Sequence, residues 1–475
     1  MKQMKQYLSY ALGAFGHDAF YAVLGTYFMI FVTSQLFDSN NPGFDKKMIG
    51  LITTVIVVIR LVEIMLDPFI GGLIDNTETR YGKFKPWLFA SATISSIMFI
   101  IIFTNFGGLT TKNPILYLIL FGIVFLILDI FYSIKDISFW SMLPALSIDS
   151  DERAKFGTIS RFGSTLGSQG VIIAVVPLVT FFSQIFSGTT GSTETRSGWL
   201  GFAIVVSLVS LLGAIATIWG TKETQNLIRK SAQKIRLRDV FKIIGQNDQL
   251  MWLALSYFFL AFGYCITNSL LIYYFKYVIG KQSDFYLVGI ITAILGIISV
   301  AIFPVLVKSI KRKTIYIGGI LCMLAGYGLF LFAGNNLIFV LVAISLFFFP
   351  YPMIFLAALM TITDSVEYGQ LKNGNRNESV TLAVRPLLDK LGGAFSNGVV
   401  GLAAVFAGMT GNAQPSDISS HGLLIFKFFM FFGPMILVTS AALIFFLKVK
   451  LTEEKHAQIV KQLEHNLKAQ TKDIK

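Results

Sequence analysis

Leu51-Ile-Thr-Thr-Val-Ile-Val-Val-Ile-Arg60-Leu-Val-Glu63-Ile-Met-Leu-Asp67 lies inside an apolar run near 48–74. A bilayer-crossing helix takes about 20 mostly apolar residues, so this run is long enough to span. Three ionisable residues interrupt it. Arg60, Glu63 and Asp67 are spaced i, i+3 and i+7 and so share one helix face. An ionisable residue in a spanning helix costs roughly 2.5–3.5 kcal/mol on insertion scales, which turns it toward a partner or a water-filled cavity. Two carboxylates one turn apart repel when both are ionised; one therefore takes up a proton, or the pair binds a cation. That is the chemistry of a cation-coupled carrier. The alternative is a structural triad in which Arg60 neutralises one acid.

The rest of the chain has the same character. Of 475 residues, 54% are hydrophobic and 14% charged, against roughly 25% charged in soluble domains. Mean hydropathy is +0.69. The net charge of +13 is spread over short segments between apolar runs and forms no single basic stripe, so nucleic acid is not expected as a partner. Cys265 and Cys322 both lie in apolar runs, which excludes a disulfide scaffold. His17, His421, His456 and His465 are too scattered for a multi-histidine metal site, and no HExxH or GxSxG motif is present. Neither an enzyme nor a resident cofactor or metal is therefore expected.

Twelve spans are predicted, near 8–36, 48–74, 84–106, 115–144, 155–183, 198–220, 251–279, 284–307, 314–333, 336–366, 380–409 and 421–447. The first is too long for a signal-peptide core and is read as a retained helix. With the N terminus inside, the inner segments and both ends hold 27 of the 39 Lys and Arg; the outer loops hold six, Lys46, Lys47, Lys112, Arg196, Lys276 and Lys281. That asymmetry predicts cytoplasmic N and C termini. The basic segment 221–250 falls after the sixth span. It divides the chain into a six-helix bundle at 1–220, a cytoplasmic linker at 221–250, a second six-helix bundle at 251–449 and a tail at 450–475. The fold expected is an all-α membrane protein. In the tail, Ile459, Leu463 and Leu467 recur every four residues and predict a solvated or membrane-surface helix.

Other charges fall within the spans. The fourth carries Asp129, Ser133 and Asp136 on one face, with Lys135 and Trp140 beside them. A carboxylate, a hydroxyl and an indole suit a sugar: the acid accepts from hydroxyls and the ring packs on the apolar face. Asp129, two turns from Asp136, reads as a structural or gate residue. The first span supplies His17 and Asp18 after Gly13-Ala-Phe-Gly16, a pair able to hold a polyol or relay a proton, or simply to tie helices together. Arg161 of the fifth span contacts substrate or pairs with an acid such as Asp18. In the second half, Asp364-Ser-Val-Glu-Tyr-Gly-Gln-Leu-Lys372 ends the tenth span with charges suited to a gate, and Arg385 and Asp389 form an i,i+4 pair beside Lys390.

Several of these stretches resemble signatures of one family. Asp67-Pro-Phe-Ile-Gly-Gly-Leu-Ile-Asp75, continuing to Arg80-Tyr-Gly-Lys-Phe-Lys-Pro-Trp87, resembles the second-span signature of the glycoside–pentoside–hexuronide:cation symporters, a branch of the major facilitator superfamily. Asp136-Ile-Ser-Phe-Trp-Ser-Met-Leu-Pro144 and Asp364 to Lys372 are similar to two more. Within the family the chain most resembles the lactose/galactoside permeases of lactic acid bacteria, through Gly13-Ala-Phe-Gly-His-Asp18, Lys242-Ile-Ile-Gly-Gln-Asn-Asp-Gln-Leu250 and Leu451-Thr-Glu-Glu-Lys-His456.

The resemblance implies a major facilitator fold and a set of site residues. Asp18, Asp136, Trp140 and Arg161 match the family's sugar-binding residues. His17 stands where the melibiose carriers have Lys, Phe355 at an aromatic position lining the sugar pocket, and Lys372 at a functional lysine. Glu63, Asp67 and Ser133 match the cation site. The sodium-using melibiose carriers have Asn where this chain has Leu66, and Asp where it has Glu63. A poorer sodium cage makes the proton the expected coupling ion, with sodium the alternative. The lactose permeases have His at the position of Asn375. Many also carry a C-terminal phosphotransferase-like domain; this sequence ends at Lys475, so regulation through such a domain is not expected. The expected activity is import of a galactoside such as lactose, melibiose or raffinose, or of galactose, across a bacterial plasma membrane. Exchange of external for internal sugar is a further mode. The expected partners are a small glycoside or sugar and membrane lipid, and the carrier is expected to work as a monomer. Pentoside or hexuronide symport is the alternative within the family, Lys135 being the residue that would favour an acidic sugar. A lipid carrier or a non-transporting sugar sensor is the alternative outside it.

Overall fold

The computed structural model describes residues 2–37, 42–75, 77, 79–147, 150–190, 193–223, 245–374, 378–411 and 413–473. Among these, twelve helices are long and apolar enough to cross a membrane. They are α1 (Gln3–Leu36), α2 (Gly43–Asp67), α3 (Lys85–Ile102), α4 (Pro114–Leu143), α5 (Lys155–Ser187), α6 (Arg196–Gly220), α7 (Asp248–Ile279), α8 (Gln282–Ser309), α9 (Arg312–Ala333), α10 (Leu337–Asn373), α11 (Val384–Ala407) and α12 (Ser420–Lys448). A polar helix, α13 (Glu453–Asp473), follows. Helices satisfy their own backbone groups, which is what lets them cross hydrocarbon.

Local chemistry sets their ends. Asn113 accepts from the Leu116 amide and precedes Pro114 at the start of α4; Thr195 accepts from the Gly198 amide at the start of α6; Asn336 accepts from the Ile338 and Phe339 amides at the start of α10. The Glu223 carboxylate caps α3 from across the sequence, accepting from the amides of Lys83 at 2.7 Å and Lys85 at 3.1 Å. Gly82 lies beside it with φ +110°, where a methyl group would lie 2.7 Å from that carboxylate. Wider π turns at Val23–Tyr27 and Val32–Leu36 interrupt α1, which sequence periodicity does not reveal.

The chain forms two compact units. One comprises Met1–Lys234, Asn268–Ala293 and Asn397–Phe426; the other comprises Ile235–Thr267, Ile294–Ser396 and Lys427–Lys475. The expected linker at 221–250 lies largely outside the described residues, which omit 224–244. Within the first unit, segments distant in sequence meet at several points. Thr33 Oγ1 is 2.6 Å from the Tyr273 hydroxyl, and Glu194, its side chain 3% exposed, pairs with Lys276 at 3.3 Å and accepts from Gln282 at 2.7 Å. Thr292 donates to Gln169 at 2.6 Å.

The tightest packing surrounds α1. A methyl group at Gly163 would lie 2.3 Å from the Ala11 carbonyl oxygen, and one at Gly167 2.1 Å from that of Phe15. On the other side, methyls at Gly16 and Gly213 would lie 2.6 Å from the Val209 and Leu12 carbonyl oxygens. The G-x-x-x-G spacing of Gly163 and Gly167 thus brings the backbones of α1 and α5 into direct contact.

In the second unit, α13 is docked by specific contacts, which the reading of a solvated or membrane-surface helix did not include. Glu453 accepts from the Arg312 backbone amide at 2.7 Å and from its guanidinium at 3.2 Å. Arg312 also pairs with Asp364. Lys311 pairs with Glu454 at 2.8 Å, His456 lies 3.5 Å from Glu367, and Ile459 is buried. Burial pushes the Glu453 carboxyl up, but the Arg312 amide and guanidinium outweigh it and leave it below the usual range. The Lys311 ammonium and the Thr452 hydroxyl hold Glu454 down to about 2.

Replacing Gly167 by Ala is expected to push α1 off α5, lowering stability by about 2 kcal/mol or more, read as a lower melting temperature in detergent. The tail contacts have a pH sign. Both carboxyls are depressed by docking, so their contribution is present above the ordinary carboxylate range and is lost as pH falls through it toward about 2. Hydrogen-exchange protection of Glu453–Asp473 is expected to fall below about pH 4. Arg312→Gln is expected to remove that protection even at neutral pH.

Candidate functional site

The site is built in the first unit on α1, α2, α4 and α5. On α4 the side chains of Asp129, Tyr132, Ser133, Asp136 and Trp140 recur with helical spacing and form one stripe. Against this stripe α1 places His17. His17 Nε2 is 2.9 Å from Asp136 Oδ1 and 3.4 Å from the Tyr132 hydroxyl. A ring nitrogen bonded to a carboxylate carries the proton there, which makes Nε2 the donor. The imidazole is 3% exposed. It stacks between Tyr132 at 5.5 Å and Phe139 at 5.4 Å, with the Trp140 ring edge-on at 6.3 Å. Its Nδ1 is buried and has no hydrogen-bond partner among the described residues.

Asp18 comes next on α1 and accepts from the Ser164 hydroxyl of α5, a contact permitted by the glycine packing on either side of Ser164. One turn earlier on α5, the Arg161 guanidinium lies 4.9 Å from the centre of the Trp140 ring, within cation–π range. Asp18, His17, Asp136, Trp140 and Arg161 are therefore gathered around one locus: carboxylates as acceptors, a guanidinium and an imidazole as donors, and a large flat ring.

The acids of α2 meet the same stripe on α4. Ser133 donates to Asp67, one turn before Asp136. Glu63 is 2% exposed and lies between Asp67 and Arg60 on the α2 face. Arg60 forms its ion pair with Asp129 at 3.8 Å, donates to the Leu24 carbonyl at 3.4 Å and lies 5.9 Å from the Phe125 ring centre. Asp129, read from the sequence as a structural or gate residue, is thus held in an ion pair.

Lys135 points away from this stripe. Its ammonium donates to Ser210 of α6 at 2.7 Å and sits 4.1 Å from the Phe20 ring centre. The other two predicted residues belong to the second unit. Phe355 lies under the Arg385 guanidinium at 4.9 Å, and Lys372 pairs with Asp248 at 2.5 Å. Asn375 lies outside the described residues.

Sequence reasoning missed Tyr132, Phe139, Ser164 and Ser210. Helical spacing held a signal for two of them: Tyr132 is one turn before Asp136, and Ser164 one turn after Arg161.

Twelve spans with acids, an imidazole, an indole and a guanidinium converging within a bundle describe a membrane carrier for a small polar solute. The chain belongs to the MFS/sugar transport protein family, whose model matches residues 9–453, and it is a multi-pass sugar transporter. It is 48% identical to a lactose permease of Lactobacillus delbrueckii subsp. bulgaricus over 98% of this chain and 73% of that protein. It is 47% identical to a raffinose carrier protein of Pediococcus pentosaceus over 96% of this chain and 71% of that protein. Among solved structures, a D-xylose-proton symporter superposes with a TM-score of 0.67 at 16% identity, covering 94% of this chain and 98% of that one. The nucleoside transporter NupG superposes with a TM-score of 0.60 at 14% identity, covering 94% of this chain and 99% of that one. At these identities the likeness is one of fold.

The Arg60–Asp129 pair generates a stability prediction. Removing one partner of a buried pair costs about 3–5 kcal/mol. Arg60→Gln is expected to lower the melting temperature sharply, and the double variant Arg60→Gln with Asp129→Asn to recover most of the loss. A double variant no more stable than the single one would show that the pair is not the reason.

Proposed function

We propose that this carrier imports galactosides such as lactose, melibiose or raffinose, and galactose itself, together with a proton, by alternating access. The observation that carries the reading is the placement of two contacts one turn apart on α4: Ser133 to Asp67 and Asp136 to His17. The first joins α4 to the acids of α2, the second to the sugar-type cluster of α1. A proton arriving at the Glu63/Asp67 pair removes a charge from beside α4, and the same rigid helix presents Asp136 to the sugar. Sugar hydroxyls take the acceptors of Asp18 and Asp136 and the donors of Arg161 and His17, and the Trp140 ring covers an apolar sugar face.

The names of the lactose and raffinose carriers at 47–48% identity support the galactoside class. The position of Leu66 beside Asp67 offers no oxygen to a sodium ion, which supports the proton. Lys135, turned to Ser210 and Phe20, gives no support to an acidic sugar. The basic bias of the expected inner segments supports cytoplasmic termini, and one copy of the chain holds the whole α1–α5 cluster, which supports function as a monomer.

Asp67→Asn is expected to abolish uphill lactose accumulation driven by a pH gradient in proteoliposomes, while counterflow without a gradient continues. Full accumulation by the variant would remove Asp67 from coupling. Running wild type with and without sodium separates the two ions.

A further inference from the structure

Apart from the sugar-type cluster, the first unit holds a set of contacts that join the first six spans to the last six. Gln169 of α5 accepts from Thr292 of α8 at 2.6 Å, and a methyl group on Gly289 of α8 would lie 2.6 Å from the Ile173 side chain of α5. Glu194, just after α5, pairs with Lys276 of α7 at 3.3 Å. On α1, Thr33 Oγ1 is 2.6 Å from the Tyr273 hydroxyl of α7, and the Thr33 carbonyl accepts from the Gly411 amide at 2.7 Å. A methyl group on Gly401 of α11 would lie 2.3 Å from Thr53 Oγ1 of α2. Thr33, Glu194, Lys276 and Gly411 stand near or just past the ends of the first, fifth, seventh and eleventh spans. An odd number of crossings separates each from the N terminus, so all four lie toward the opposite face of the membrane.

Glu194 brings a charge into this surface. Its side chain is 3% exposed and that of Lys276 17%. Both carboxylate oxygens are engaged, Oε2 by the Lys276 ammonium and Oε1 by the Gln282 amide at 2.7 Å. Gly280, at φ +73°, turns the chain from α7 into α8 between these two partners. Lys276 stands in a π turn, Tyr274–Ile279, and Thr33 in another, Val32–Leu36; such turns are frequent at functional sites. The chemistry is that of a contact that parts. A buried ion pair adds little net stability, because desolvation offsets the attraction, so apolar residues would serve a permanent joint as well. Parted charges regain their water, whereas parted apolar faces are left exposed to it. The rest of the surface has the same character. Thr33, Tyr273, Gln169 and Thr292 meet through hydrogen bonds that water can replace, and Gly289 and Gly401 present backbone in place of interlocking side chains.

We propose that Glu194, Lys276 and Gln282 form a charged latch that holds the carrier shut on the face opposite its termini and parts once in each transport cycle. None of the sugar-site or cation-site residues belongs to it. The latch sets how often that face opens, and so the rate at which sugar passes there. The proposal rests on the alternating-access reading above, but not on which sugar is carried.

The test reads the opening of that face directly. In a Cys265→Ala, Cys322→Ala background, Ile173→Cys places a thiol against Gly289, and a membrane-impermeant thiol reagent reports how often it is uncovered. Applying the reagent to intact cells and to inverted vesicles covers either orientation of the chain. Glu194→Gln and Lys276→Gln are each expected to speed labelling about tenfold, as for a sparsely populated open state, and the double variant to go no further than either single one. Gln282→Ala, which removes one hydrogen bond and leaves the charge pair, is expected to speed it roughly threefold and serves if the charge variants do not insert. A merely structural pair would lower the melting temperature and leave the labelling rate of the inserted variants unchanged. That result, or a double variant faster by the product of the two single effects, overturns the latch. Absence of wild-type lactose counterflow in proteoliposomes overturns the galactoside reading instead, and leaves the labelling test of the latch in force.

Discussion

The site depends on how closely α1 can approach α5 and α6. At Gly163 and Gly167 the backbones touch, and on the opposite side of α1 Gly16 and Gly213 allow the same against α6. Lipid tails are as apolar as leucine, so no hydrophobic force drives helices together within the bilayer; close packing of small residues and polar contacts take its place. The polar contacts follow from the packing. With α1 held at this distance, Asp18 reaches the Ser164 hydroxyl, and His17 reaches Asp136 while its ring sits between Tyr132 and Phe139. A bulkier α5 would move both groups away from α4 and leave buried polar atoms without partners, which costs more than the lost dispersion contacts.

The acids around this cluster differ in the kind of partner each meets. Asp129 meets the guanidinium of Arg60, a cation that does not give up its proton. Asp67 and Asp18 meet serine hydroxyls. A hydroxyl donates to a carboxylate and accepts from a carboxyl, so it keeps its contact whichever form the acid takes. An acid with such a partner can gain or lose a proton, or exchange the hydroxyl for that of a sugar, without dismantling its surroundings. The difference distinguishes an acid that braces the bundle from acids suited to coupling and recognition.

Much of this was legible in the sequence, for definite reasons. Helix count follows from apolar length, and the shared faces of Arg60, Glu63 and Asp67 and of Asp129, Ser133 and Asp136 follow from helical spacing. What spacing along one helix does not reveal is which face meets which neighbour. Arg60 had Glu63 and Asp67 on its own helix as candidate partners, and it also forms an ion pair with Asp129 on α4, which spacing along α2 does not point to. Arg161 lies over Trp140, a ring that spacing along α5 does not point to. Lys135, whose place next to Asp136 turns it off that face, ties α4 to α6 through Ser210, a partner spacing does not name. The π turns in α1 were equally hidden, since they arise from one extra residue in a turn and carry no residue signature. The tail shows the same limit: its four-residue repeat predicted the helix, but its docking depends on Arg312 and Lys311, which lie some 140 residues earlier in the chain.

Because α4 carries Asp67's partner and Asp136 one turn apart, the coupling proposed above would need no long pathway. Ser133, which holds Asp67, and Asp136 are three residues apart on α4, about 4.5 Å of helix rise. Inside a low-dielectric bundle two carboxylate charges so placed repel far more strongly than they would in water. Neutralising one by protonation therefore lowers the cost of presenting the other as an ionised acceptor to sugar hydroxyls. On the proposed reading, a helix that is short between the two contacts and shared by both would link the two loading events. The same geometry explains why Asp136 and His17 are paired. An imidazole donor at 2.9 Å keeps the acid oriented while no sugar is bound, and its hydrogen bond is one that a sugar hydroxyl can join.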